Sequence, residues 1–198
     1  MPFSRGEDVL RTATLDAPAS SLTLRRAAAV VLGTALVTAA ARVTLPLPGT
    51  PVPFTLQPLA VLVVGGLLGP WLGAASLALY LALGAAGLPV FTPSALLPYG
   101  AARLIGPTGG YLLAYPIAAY AVGRLAGDTK VWGRVILAVF AGLVLIHLGG
   151  LTQLALISGS VDQAARFGTL PFLVNDAIKL GIAAVTVHGA GSAVRTRL

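Results

Sequence analysis

Apolar residues run through this chain in long blocks, each closed by proline or glycine, instead of alternating or recurring on one helical face. The blocks cover about 22–43, 54–69, 71–87, 108–126, 132–158 and 171–194. Several approach or exceed the ~18 residues that carry an α-helix across a hydrocarbon core. The first block stops before LPLPGTPVP (45–53), whose prolines cannot continue a helix, and the second stops at Gly69–Pro70. An irregular stretch at 88–107, punctuated by Pro89, Pro93, Pro98, Gly100 and Pro107, separates the third block from the fourth. The pattern predicts an all-α integral membrane protein of six transmembrane helices with an extended loop between the third and fourth. Residues 21–198 form the membrane domain, and residues 1–20, poor in large apolar groups, form a mobile cytoplasmic tail.

Composition narrows the class further. Charged residues make up 10% of the 198 and the mean hydropathy is +0.90, whereas soluble domains carry roughly a quarter charged residues. An isoelectric point near 10.6 would suit nucleic acid, but the cations are scattered among apolar segments and form no stripe, so no nucleic-acid partner is expected. They act better as topology signals. With the N-terminus inside, the inner segments hold Arg5, Arg11, Arg25, Arg26, Arg124, Lys130, Arg134, Arg195 and Arg197, against Arg42, Arg103 and Arg166 outside. The positive-inside rule then places both termini in the cytoplasm. Arg25–Arg26 and the apolar run behind them also resemble a secretory signal with a small-residue cleavage site near Ala39 and Ala41. The mixed charge of the leader (Glu7, Asp8 and Asp16 beside Arg5 and Arg11) and the length of the run favour a retained first span. No cysteine is present, which excludes disulfides and thiolate metal sites.

On this topology the polar groups collect in the outer half. Asp176 and Lys179 lie one to two turns below the outer end of the last span, on one face by their i, i+3 spacing. Gln57, Thr152, Gln153, Tyr111 and Tyr115 fall at similar depth, with Arg103 in the loop above. A charge at mid-bilayer costs ~2.5–3.5 kcal/mol on insertion scales. Either Asp176 and Lys179 form a packing salt bridge, or they grip a polar ligand head, the carboxylate accepting N–H bonds and the ammonium donating to an oxygen. Packed leucines would serve the first purpose without the desolvation penalty, which favours the second. Asn175 either assists or faces lipid headgroups. In GPTGGY (106–111), Thr108 is an N-cap candidate and Gly109–Gly110 expose backbone N–H groups at a helix N-terminus. That arrangement suits an anion or simply a capped, closely packed helix start. Arg103 suits a ligand carboxylate or a lipid headgroup.

Other features carry less. His147 has no second histidine or carboxylate at ligand spacing and reads as a hydrogen-bonded interior histidine, not a metal ligand. His188, Trp71 and Trp132 fall near the inner boundaries. Gly65, Gly69 and Gly73, and Ala35 and Ala39, repeat at four-residue spacing and permit close backbone approach. The chain carries no phosphate-binding loop motif and no catalytic triad or carboxylate pair, so neither an enzyme nor a resident cofactor or metal is expected.

VPFTLQPLAVLVVGGLLGPWLGAASLALYLALGAAGLPVF (52–91), GPTGGYLLAYPIAAYAVGRLAG (106–127) and PFLVNDAIKLGIAA (171–184) resemble the BioY proteins, the biotin-binding S components of bacterial energy-coupling factor (ECF) transporters. The resemblance covers about 45–198. It implies a six-helix bundle in the bacterial cytoplasmic membrane with a biotin pocket near the outer surface. It further implies that Asp176 and Lys179 bind the ureido ring, while Tyr80, Phe91, Tyr111 and Tyr115 pack the thiophane ring and aliphatic tail. S components have an A-x-x-x-A pattern on the first helix that contacts the transmembrane coupling subunit; Ala35 and Ala39 fit it. Transport would then need that subunit and two ATPase subunits. The stretch TPSALLPYGAARLI (92–105) lacks the glycine-rich run the family pattern would put there. Three competing readings are an S component for another vitamin, an intramembrane lipid-modifying enzyme with Asp176 as general base, and a pore. A pore would line its full depth with polar groups, and here the inner half is oily.

Overall fold

The structure, a computed structural model, describes residues 19–94 and 98–198, with side chains from residue 21 onward. The tail expected at 1–20 therefore lies outside the described residues, save that residues 19 and 20 open the first helix. The elements are α1 (Ala19–Arg42), β1 (Thr44–Leu45), β2 (Phe54–Thr55), α2 (Gln57–Leu68), α3 (Pro70–Ala85), α4 (Ala102–Ile105), α5 (Gly109–Ala126), α6 (Trp132–Ser158), α7 (Val161–Gly168), a 3-10 turn (Leu170–Phe172) and α8 (Leu173–Arg195). The fold is mostly helical, as expected. The small antiparallel ladder pairs Thr44 with Thr55 and Leu45 with Phe54.

The second apolar block makes a shorter helix than its length suggests. Residues 54 and 55 are taken by β2, and Thr55 Oγ1 accepts the backbone N–H of Gln57, 3.3 Å away, where α2 begins. Pro58, in the first turn, loses nothing by lacking an N–H there. The helix ends at Gly69, held at φ +81°, before Pro70 opens α3. Twelve residues span ~18 Å, well short of a ~30 Å hydrocarbon core. Instead α2 is the bundle's central pillar, packed by α1, α3, α5, α6 and α8. Its Val61, Leu62, Val64, Gly65 and Gly66 are buried, which explains an apolar sequence all the way round. A methyl group on Gly65 would lie 2.5 Å from Ala119 O, so α2 and α5 touch backbone to backbone there.

Among the described residues, three segments are long and apolar enough to cross a membrane: Ser21–Arg42, Trp132–Ser158 and Val161–Arg195. Outward-facing Leu32, Leu137, Phe140, Ile178 and Val185 are exposed along them, a surface for lipid and not for water. Two elements go beyond the sequence expectation. The loop between α3 and α5 carries α4, and the link between α6 and α8 carries α7. Ser160 Oγ accepts the N–H of Gln163 (3.3 Å) and starts α7 in an S-x-x-Q capping pattern.

Helices α2, α5 and α8 run in the same direction, and this organises the molecule. Their C-terminal ends meet at Arg195. Its Nε and Nη2 donate to Gly66 O (3.0 and 2.7 Å), Nη1 to Gly127 O (2.8 Å), and Nη2 also to Gly123 O (3.3 Å). These carbonyls belong to the last turn of α2 and the end of α5, where they lack intrahelical donors. Arg26 Nε donates to Leu198 O (2.7 Å) at the same end, joining the two extremities of the described bundle. The N-terminal ends of α2, α5 and α8 converge at the other end, around a cavity.

Candidate ligand-binding site

The cavity is narrow, with about 60 Å³ of space that a water-sized molecule can occupy. Residues from the starts of α2, α5 and α8 line it, together with α6, the 88–108 loop and the 3-10 turn. Three helix N-termini bring partial positive charge to one place, a setting favourable to an anion.

Its most polar wall is the α8 pair. Lys179 Nζ donates to Asp176 Oδ1 (2.8 Å), and His147 Nε2 lies 2.7 Å from Asp176 Oδ2. Asp176 and Lys179 are each only 3% exposed, so neither is a surface ion pair of the kind worth little. The ammonium also sits 4.3 Å above the Phe54 ring, whose face attracts a cation. The i, i+3 spacing foresaw the Asp176–Lys179 contact. His147 is the interior histidine the sequence suggested, yet it also lines the cavity, which the sequence reading missed. Its partner is 29 positions away on another helix, so no local spacing announced it.

A second polar group gathers on the loop side. Gln57 Nε2 donates to the Tyr80 hydroxyl (2.6 Å), and Thr92 Oγ1 donates to Gln57 Oε1 (2.7 Å). Arg103, on α4, donates from Nη2 to Thr92 O (2.6 Å). It is 2% exposed, and burial draws its pKa below the ordinary arginine value, a measure of how poorly solvated the cation is. Arg103 Nε and Thr108 Oγ1 are buried with no hydrogen-bond partner among the described residues. Thr108 occupies the N-cap position of α5 without making the capping bond. The segment is held down by Gln153 of α6, whose Nε2 donates to Leu104 O (3.0 Å) and Gly106 O (2.7 Å).

Aromatic walls join the two polar groups, and glycines seat them. Phe91 occupies the space a Cβ on Gly84 would take, and Tyr111 the space of one on Gly150. Tyr111 donates to Gly168 O (2.5 Å), anchoring the end of α7 beside the cavity. Phe91, Tyr111 and Tyr115 line the cavity directly. Tyr80 stands behind, edge-on to Phe91 at 5.4 Å between centroids and bonded to Gln57. Asn175 does not line it: one residue from Asp176 it is turned ~100° around the helix and is only partly buried. Ala35 and Ala39 lie elsewhere, on the exposed face of α1 with Val31 and Leu36.

Comparisons with known proteins agree on what such a fold is. The BioY family model matches residues 13–196. A probable biotin transporter BioY of Pyrococcus horikoshii is 41% identical over 135 residues, covering 68% of this chain and 78% of the relative. The biotin transporter BioY of Thermotoga maritima is 38% identical over 152 residues, 77% of this chain and 87% of the relative. Among solved structures, the S component for biotin from an ECF-type ABC transporter superposes with a TM-score of 0.77 at 27% identity, covering 85% of this chain and 91% of the other.

Proposed function

The chain belongs to the BioY family, and from that premise we propose that it captures biotin as the substrate-binding component of an ECF-type transporter. The family is one of transporters, not enzymes, and the chain is a multi-pass, mostly helical membrane protein. The observation that carries the proposal is a single cavity lined by a buried Asp176–Lys179 pair, by Arg103 and Thr108, and by aromatic rings. Biotin presents a cyclic urea with two N–H donors and a carbonyl, an apolar bicycle, and a carboxylate on an aliphatic tail. Asp176 accepts a ureido N–H and Lys179 donates to the ureido oxygen. Phe91, Tyr111 and Tyr115 cover the bicycle and tail, with Tyr80 and Gln57 bracing that wall. Arg103 and Thr108 hold the carboxylate, each having a donor group without a partner among the described residues.

In this reading six membrane segments lie N-in, C-in in a bacterial cytoplasmic membrane, and the cavity opens to the outside. Lipid surrounds the bundle. A transmembrane coupling subunit docks against Ala35 and Ala39, and two ATPase subunits supply the energy that this chain lacks. The test is equilibrium titration of detergent-purified protein with biotin, riboflavin and thiamine. Biotin should bind far more tightly than the other two; preference for riboflavin or thiamine would reject it as the cargo.

A further inference from the structure

Asp176 holds one donor on each carboxylate oxygen, and the two donors come from different places. Lys179 is supplied by α8 itself, three residues on, and would meet Asp176 in any helix with this sequence. His147 is supplied by α6 and meets Oδ2 only because α6 and α8 pack at that depth. The imidazole is wedged there, its ring edge-on to Tyr111 at 6.3 Å between centroids, with the fully buried Ile146 as its neighbour in sequence. Its Nδ1 is buried and has no partner among the described residues. A proton on Nδ1 would leave a buried N–H unsatisfied, so the tautomer that fits is Nε2–H, donating to the carboxylate.

From this geometry we infer that His147 is a positioning residue for ligand recognition: by holding Oδ2 from across the bundle, it fixes the acceptor face that Asp176 offers to a ligand N–H. The inference rests on the biotin-binding reading above. A carboxylate with four lone-pair directions and two fixed donors still has acceptor capacity to spare. Without His147, rotation of the Asp176 carboxylate lets it turn both oxygens toward Lys179. The pair then closes on itself, and a ligand must break that contact before it binds. His147 keeps the carboxylate divided between two helices and its remaining lone pairs in a constant direction, so recognition of an N–H donor starts from a preorganised acceptor.

Equilibrium binding of radiolabelled biotin to the purified full chain, with calorimetric titration for weak variants, tests this. His147→Leu keeps bulk and removes the donor; His147→Asn stops short of Asp176; His147→Gln can place an amide N–H near the original Nε2. Loss of a hydrogen bond to a charged group predicts affinities reduced about 10- to 100-fold for Leu and Asn. Gln should stay within about threefold of wild type, because it restores the donor. In an Asp176→Asn background the same Leu substitution should change affinity little, since the group it positions is gone. Equal losses with Leu in both backgrounds would reduce His147 to packing and overturn the inference. So would wild-type affinity in His147→Leu, or a Gln variant as weak as Asn. If the Leu variant fails to fold, the contrast between Asn and Gln decides. Wild-type protein that binds no biotin would sink the underlying reading as well, whereas wild-type binding with an additive cycle sinks this inference alone.

Discussion

Replacing Asp176 by asparagine changes one atom and removes one charge, and the surroundings set what that costs. The carboxylate serves two donors at 2.7 and 2.8 Å. His147 and Lys179 bond different oxygens of the carboxylate, and an amide has only one, so asparagine keeps one of these two contacts in place and sets its NH2 group against the other donor. If the oxygen turns to His147, Lys179 is left as an ammonium that is 3% exposed, with the Phe54 ring as its remaining support. Removing one member of a buried, hydrogen-bonded charge pair typically costs about 2–5 kcal/mol in binding, or about 30- to 5,000-fold in affinity. Stability falls as well, because an unpaired buried charge destabilises by about 3–5 kcal/mol. The assay is equilibrium binding of radiolabelled biotin in detergent, with thermal unfolding of the same samples to confirm that the variant is folded. A folded Asp176→Asn protein that binds biotin within about threefold of wild type would refute the assignment of this pair to recognition. An intramembrane enzyme using Asp176 as a base would show the reverse pattern, with affinity kept and turnover lost.

Three other perturbations address different parts of the molecule. Arg103→Ala should weaken biotin about 10- to 100-fold, the worth of a charge-assisted hydrogen bond, while barely affecting biotin amide. Equal losses for acid and amide in competition binding would remove Arg103 from the carboxylate. Gly110→Ala would set a methyl 2.1 Å from the Gly149 carbonyl oxygen across the α5–α6 crossing. That overpacking should cost about 1–3 kcal/mol and lower the thermal midpoint; an unchanged midpoint contradicts it. Ala35→Leu with Ala39→Leu should leave biotin binding in detergent intact yet bring cellular uptake down toward background when coupling and ATPase subunits are present. Undiminished uptake would move the docking face elsewhere.

What the sequence revealed, and what it hid, divides along the range of the interactions. Asp176 and Lys179 were legible because helix periodicity alone puts them on one face, and desolvation cost argued that they do more than pack. The polar residues around Gln57, Thr108 and Asp176 were legible as neighbours, and they line one cavity, because each falls at the same end of its apolar block. His147 was not, since its role depends on how α6 rests against α8. Tyr80 and Asn175 were placed less finely, since neither lines the cavity. Tyr80 braces the wall through Gln57 instead of facing the cavity, and Asn175 is rotated away from it. The short α2 was hidden because apolar length marks a spanning helix and a wholly buried one alike. The S-x-x-Q start of α7 was present in the sequence, but its signal lay within what read as a loop between spans.

Arg195 gives the bundle a bolted floor. Its four hydrogen bonds, each worth about 1.5–3 kcal/mol to a charged donor, rivet the lower ends of the same three helices whose upper ends frame the cavity. Between rivet and cavity the interior is packed with Leu62, Val122 and Val187. A captured solute therefore meets no downward exit in this conformation, while the rim is held by loop carbonyls and single side chains. In the proposed orientation, release toward the cell would require this riveted end to loosen.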